Sequence, residues 1–476
     1  MVDGIAASEK FRPSPYDGKL RGAGRESNWE ECPDLKINSY QDLLLLKKAY
    51  DDGHLLLAKE IDVFAIGPNR ETHYSLSITA ASGTSKKSET AEPLADAIDL
   101  HLDIWNNDPR CFDQRGPLTS VQSDGAAVMR RALHISLAKY SIDPASKVGE
   151  ALGKCSLRLF NYLCGGSASR PAVAGCDDNH VGKRLRMTVK ALRGGTQVGD
   201  YTFTRELLRA LLLEIGCTEA EVAEAFAEGS EDAQNVSAMV KFLRLMSKFT
   251  EKTEADFCAP RRGTPIFRMQ LKALHVLASY CRNFVEVITG LDALKNERIP
   301  LSELMRRASR VAHYAFVLFR RHATKFIPGQ HYGNTQAMIK AKFVSVASCQ
   351  ALNIPYYFSY FDSDQRLEEL FGIQRCMECG SSMDMIQFEE RGGSIMGCAK
   401  IYSDRPELNK TSSRLGGHLS DHQNPPSILG SPKNYKIVDV RCVTLTSSWA
   451  LGASDVAADL TSSTHVEDDP PIFKKG

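Results

Sequence analysis

Three carboxylates sit where side chains could do chemistry. Asp124 lies in "SVQSDGAAVMRRALH" (120–134), where an apolar-polar alternation gives way to an acid, a glycine and a basic helix. An acid closing a strand before a helix faces the crevice outside the strand ends, where sheet enzymes commonly hold their reacting groups. The same position suits an N-cap that accepts backbone N–H bonds, and on position alone that is the commoner use. "AVAGCDDNHVGKRLRMTVKALRGG" repeats the arrangement, with acids at 177 and 178 ahead of His180, Lys183, Arg184, Arg186 and Lys190. The third acid, Glu368, lies in "YYFSYFDSDQRLEELFGIQR", where an aromatic strand is expected before a helix. Glu368 and Phe371 are one helical turn apart, so an inward Phe371 would aim the carboxylate at the crevice, although a surface pair with Arg375 fits the spacing as well. Strand-end acids beside cationic helices suit a magnesium-dependent phosphodiester site, with acids for the metal and cations for the backbone.

The elements that must position these acids follow from periodicity. Residues 1–36 are rich in Gly, Pro, Ser and charge without a period, and are expected to form a mobile segment with no strand. "YQDLLLLKKAYDDG" (40–53) reads as a short amphipathic helix ended by Gly53. "IDVFAIG" and "HYSLSITA" can pair as a hairpin, a helix runs from about Thr90 to Trp105, and "LTSVQS" makes a third strand. Hairpin, helix, strand, helix indicates a mixed α/β sheet with helices on its faces. From about 200 to 350 only helices are expected. "PLSELMRRASRVAHYAFVLF" sets Leu301, Leu304, Met305, Ala308, Val311, Ala312, Ala315, Phe316 and Phe319 on one stripe. Arg306, Arg310 and His313 fall on another face, which reads first as solvated helix surface.

Bulk composition narrows the class. A chain of 476 residues with 43% hydrophobic and 25% charged content has the make-up of a globular protein large enough for several domains. With a net charge of +1, any nucleic-acid surface must be a local patch. No apolar run reaches membrane-spanning length, and the first residues lack the pattern of a signal peptide, so an intracellular chain with no membrane partner is expected. The 13 cysteines, scattered through apolar segments, read as reduced thiols. Cys376 and Cys379 form a C-x-x-C and His418 and His422 an H-x3-H, types that zinc accepts, but the gap between the pairs is far longer than in a zinc finger. No phosphate-binding loop of the GxxxxGKS type is present.

Several segments taken together resemble a large group of fungal transposase-derived proteins, distantly similar to the P-element type. They are "AKEIDVFAIG", "SGTSKKSE", "SDGAAVMRRAL", "DDNHVGKRLR", "EDAQNV", "FIPGQHYGNTQAMIKAKF", "DQRLEELFGIQR" and "LSDHQNPPSILG". They follow one another in the group's order over roughly residues 37–460. The resemblance implies a ribonuclease H-like mixed sheet interrupted by a large all-helical insertion. Core segments would span 37–200 and 353–402, the helical insertion 201–352, and a largely irregular extension 403–476. It also implies DNA transposition, with Asp124, Asp177 and Glu368 as catalytic acids holding Mg²⁺ or Mn²⁺, His180, Lys183, Arg184 and Arg186 at DNA, and a nuclear location.

Departures from the group's pattern bear on activity. Ala126 replaces an acid, Asn179 a lysine, Gly182 a bulky apolar residue, and Asn334 and Ala341 the usual Asp and Asn. The group also carries an earlier strand with a first catalytic aspartate, for which only residues 1–36 are left here. Asp62, within "IDVFAIG", is a weaker substitute because its strand aligns later in the sheet. The resemblance therefore leads to a transposase-derived protein impaired by loss of its first acidic strand. The alternatives are a non-enzymatic nucleic-acid-binding or interaction relic, and a truncated gene model of an active element.

Overall fold

The computed structural model describes residues 1–6, 8–25, 27–67, 75–84, 90–153, 155, 163–168, 170–190, 194–226, 236–359, 365–377, 383–405 and 438–463. The chain is a mixed α/β protein of two compact units, one comprising Met1–Lys139 with Ser363–Gly416 and the other Tyr140–Asp362 with Gly417–Gly476.

The first unit opens with strand β1 (Val2–Ala6), followed by the short hairpin β2 (Arg12–Pro13) and β3 (Leu20–Arg21). Residues 1–36 thus contain three strands, against the expectation of a mobile segment without one. Their order has identifiable causes. Arg12 pairs with Asp384 at 2.8 Å and Arg21 with Glu389 at 3.1 Å. Leu20 and Ala23 enter a small apolar cluster with Leu46, Ala49 and Leu55. Gly22, at φ +93°, lies so close to the Lys10 carbonyl that a Cβ would stand 2.1 Å from it, so only glycine fits that turn. Helix α1 (Tyr40–Asp51) starts at a capping box between Ser39 and Asp42, and Gly53 follows at φ +81°.

Strands β4 (Ala58–Ile66) and β5 (Ser75–Thr84) form the expected antiparallel hairpin, and β1 pairs antiparallel with the other edge of β4. Ile61, Val63 and Ala65 line one face of β4 and Phe64 the other, where it stacks on His101 at 4.2 Å. Burial on both faces explains why β4 reads as a nearly continuous apolar run. Helices α2 (Ala91–Asn107) and α3 (Pro109–Arg115) lead to strand β6 (Ser120–Val121) and helix α4 (Ala127–Leu137).

The second unit begins with a small antiparallel meander of β7 (Tyr140–Ser141), β8 (Leu163–Ser167) and β9 (Arg170–Ala174), with the short helix α5 (Lys147–Leu152) after β7. Then come α6 (Asp178–Val189), the hairpin β10 (Thr196–Val198) and β11 (Tyr201–Phe203), and α7 (Arg205–Glu214), α8 (Glu219–Phe226) and α9 (Val236–Ser247). Three long helices complete it: α10 (Pro265–Thr289), capped by Thr264 and ended by Gly290 at φ +68°, α11 (Leu301–His322) and α12 (Gly329–Ala351). The apolar stripe read from the α11 sequence is buried from Leu301 to Ala315, with Phe316 and Phe319 half-buried.

The chain returns to the first unit with α13 (Gln365–Met377) and α14 (Met385–Asp404). Leu367, Leu370 and Phe371 of α13 and Phe388 of α14 cover the β4 face lined by Ile61 and Val63. Each such buried side chain contributes on the order of 1.5–3 kcal/mol. The aromatic strand expected ahead of α13 is absent among the described residues. Tyr356 forms an isolated bridge with Asp439, and the Tyr357 N–H donates to the Val438 carbonyl at 3.0 Å.

The last described element is α15 (Leu445–Ser463), a 19-residue helix in the stretch expected to be largely irregular. Trp449, Val456 and Leu460 bury it in the second unit's core. Arg306 of α11 grips Asp455 with two bonds of 2.7 and 2.8 Å, Arg310 meets Asp459 at 2.9 Å, and His313 is buried near Trp449. The face of α11 that reads as solvated is therefore the seat of α15. Gly452 sits so close to α11 that a Cβ would lie 2.5 Å from Ser309. Gly452→Val is expected to destabilise the second unit by about 1–3 kcal/mol through overpacking, read as faster hydrogen exchange in α11 and α15. Unchanged exchange would mean the helices have room to part.

Candidate active site

Asp3 is the functional candidate that sequence reasoning misses. On β1 it stands opposite Val63 of β4, and Gly4 stands opposite Asp62. Residues directly opposed across antiparallel strands share a face. Asp3 therefore emerges on the Val63 side, the side covered by α13, and is partly exposed. β1 also makes one bond to the residue that follows β6, the Val2 N–H donating to the Gln122 carbonyl at 2.9 Å. Asp3 and Asp124 are one and two residues from that bond.

Asp124 follows β6 as expected, half-exposed at the strand end. Its Oδ1 accepts the Ala126 N–H at 2.7 Å, and Gly125 between them takes φ +75°. The N-cap of α4 is Ala126, which makes no side-chain cap. Asp124 is thus held by a local turn and is not spent on the N2 or N3 donors of the helix. Nearby, the Glu60 carboxyl has its pKa raised by desolvation and by the negative charges of Asp62 and Asp124, opposed by Lys59.

Asp62 is the weaker substitute for a first acid that the sequence offers. It is 2% exposed, lies on the face opposite Asp3, and is ion-paired with Arg25. Glu368 belongs to α13, in the same unit as Asp3 and Asp124, and its neighbours Leu367 and Leu370 face the sheet. The side chain of Glu368 lies outside the described residues, as do the side chain of Cys376 and all of Cys379, His418 and His422. Among the described residues no group of three or more His, Cys, Asp or Glu gathers closely enough to hold a metal ion.

Asp177 lies in the other unit, although the resemblance joined it with Asp124 in one core segment. The strand before it shares its packing with the helices that follow: Cys164, Val173, Cys176 and Val181 belong to one core with Phe242 and Leu277. Asp177 is fully buried and caps α6, its Oδ2 accepting the His180 N–H at 2.6 Å. Two of the expected phosphate-binding cations are also inside the unit. Lys183 is 6% and Arg186 1% exposed, and Arg186 donates to the Ala225 carbonyl at 3.3 Å, so a DNA backbone cannot reach them in this conformation. His180 and Arg184 are half-buried. Gly182 is explained by packing, since a Cβ there would stand 2.8 Å from Ile288 and 2.9 Å from Met239.

Comparison with protein families finds no match, and comparison with curated proteins finds none. Among solved structures, the chain is similar to one in the Drosophila P element transposase strand transfer complex. The identity is 10% and the TM-score 0.47, over 84% of this chain and 75% of that one. Among the described residues no helix is long and apolar enough to cross a membrane.

Proposed function

We propose that the protein is transposase-derived and that its first unit is a ribonuclease H-like domain that cleaves DNA phosphodiesters with Mg²⁺ or Mn²⁺. The observation that carries this reading is β1. The expectation of impairment rested on a missing first acidic strand, and a strand bearing Asp3 pairs with β4 and makes one bond to the residue that follows β6. Asp3, Asp124 and Glu368 would hold the metal, and Asp177 is assigned to capping α6. Carboxylate oxygens suit these hard cations, which supply a bound water of lowered pKa and charge stabilisation at the leaving oxygen. The chain's own contribution is rigidity: Asp3 is fixed by the pairing of β1 with β4, and Asp124 by the Ala126 N–H. Arg25 neutralises Asp62 and so keeps a fourth carboxylate out of the site. DNA as substrate implies a nuclear location.

The test is nicking of supercoiled plasmid in Mg²⁺ or Mn²⁺. Asp3→Asn and Asp124→Asn are each expected to lower the rate by more than about 100-fold, beyond the 10–100-fold typical of lost outer-sphere partners. Asp177→Asn, which preserves a good N-cap, is expected to retain it. No nicking by the unaltered chain, with DNA binding intact, would favour the relic; loss of nicking in Asp177→Asn alone would overturn the assignment of the acids.

A further inference from the structure

The last turn of α11 carries Arg320, Arg321 and His322, and Lys325 follows within one turn. Arg320 and Lys325 are exposed and have no acidic partner among the described residues, and Arg320 lies over the Phe316 ring at 6.0 Å. His322 bonds elsewhere: its Nε2 accepts the Gly199 N–H at 3.0 Å, which ties this end of α11 to the turn of the β10–β11 hairpin. Accepting that bond requires an unprotonated Nε2. The charges felt by His322 are those of Arg321 and Lys325, which lower its pKa along with burial, and that of Asp200, which raises it. Arg320 and Lys325 thus add exposed positive charge here in a chain whose total charge is only +1.

Two backbone features adjoin this cluster. Ala323 takes φ +49° and ψ −130°, a region that residues with a Cβ rarely enter, so the turn is strained where the cations gather. Helix α12 begins four residues after Lys325, and its N-cap Pro328 makes no side-chain cap. The positive end of a 23-residue helix therefore adds to the field of the cluster.

We propose that this knuckle, Arg320 to Lys325, binds the phosphate backbone of double-stranded DNA. It supplies the local cationic surface that the expected cations of α6 cannot, since Lys183 and Arg186 are buried. Arg320, stiffened by the Phe316 ring beneath it, and Lys325 make the phosphate contacts, and His322 holds the hairpin turn clear of them. The choice of DNA rests on the function proposed above.

The experiment measures binding of the full chain to a fluorescein-labelled duplex by anisotropy in EDTA, over a series of salt concentrations. Without a divalent metal the readout is independent of nicking, so failure of the acid assignment and failure of this surface are separable. Arg320→Glu/Lys325→Glu is expected to weaken binding and to lower the slope of log K against log salt by about 2, one for each phosphate that the variant no longer neutralises. Lys295→Glu, an exposed lysine in the loop between α10 and α11, is expected to leave both unchanged. Arg320→Gln/Lys325→Gln, which introduces no repulsion, should reproduce the slope change. An unchanged slope in the double variants, an equal loss in Lys295→Glu, or no binding by the unaltered chain would each overturn the proposal.

Discussion

Lys342→Met is expected to cost the second unit about 3–5 kcal/mol, because it leaves a carboxylate buried without its partner. Lys342 of α12 donates to Asp178 Oδ2 at 2.6 Å, and the two side chains are 2% and 7% exposed. Burial raises the Asp178 pKa and Lys342 opposes that shift. Without the lysine, Asp178 must fold as the neutral acid or draw water into the core. Replacing both members, as in Asp178→Leu/Lys342→Met, removes the stranded charge and should recover most of the loss, since apolar replacements of buried pairs are often neutral or stabilising. Hydrogen exchange of the α6 and α12 amides reads both variants in the full chain. A single variant within about 0.5 kcal/mol of the parent, the usual range of surface substitutions, would show that the pair is solvated in solution.

The second unit is also expected to lose stability steeply below neutral pH. His313 has its pKa lowered to about 4 by burial, against a hydrogen bond with the Ser309 carbonyl. His331 has its pKa lowered to about 3 by burial and by the charge of Arg184. Both folded values lie below the ordinary value near 6.5, so the unfolded chain binds more protons in between. Stability from these residues is complete above about pH 6.5 and falls with pH until each folded value is passed. At pH 5 the 1.5-unit gap amounts to roughly 2 kcal/mol per histidine at about 1.4 kcal/mol per unit, or roughly 4 kcal/mol for the two. Asp178, with its raised pKa, acts in the opposite sense at lower pH. Urea unfolding between pH 7.5 and 4.5 should show the decline, and His313→Gln should remove about half of its slope. A flat profile from pH 7 to 5 would mean that neither ring is dehydrated.

What the sequence disclosed depended on whether an element carries its own pattern. The β4–β5 hairpin, α2, α4 and the stripe of α11 were legible because each repeats apolar residues at its own period over enough residues to be read alone. β1 has five residues, one of them glycine, and becomes a strand by pairing with β4, more than 50 residues away. α15, "LTSSWALGASDVAADLTSS", reads as loop because it packs by close approach at Gly452 and by ion pairs to Arg306 and Arg310. The acids divided likewise. Asp124 was legible from its strand-to-helix context, whereas Asp3 had none until β1 was in place. Asp177 had the same local context as Asp124, and its carboxylate accepts the His180 N–H as the cap of α6. The cations of α6 were read as phosphate contacts because periodicity marks a helix's apolar side but cannot foresee that Arg186 reaches the Ala225 carbonyl inside the unit.

The first unit is closed by α13 and α14, which enter the sequence more than 200 residues after its strands and cover the face of β4 lined by Ile61 and Val63. During synthesis the ribosome releases β1, β4 and β5 long before the helices that shield them. That apolar face must wait, exposed or held by a chaperone, while the whole intervening unit is made. A nascent chain halted anywhere before residue 365 would then present three strands without a cover, and would be prone to aggregate before its acids had any chance to meet.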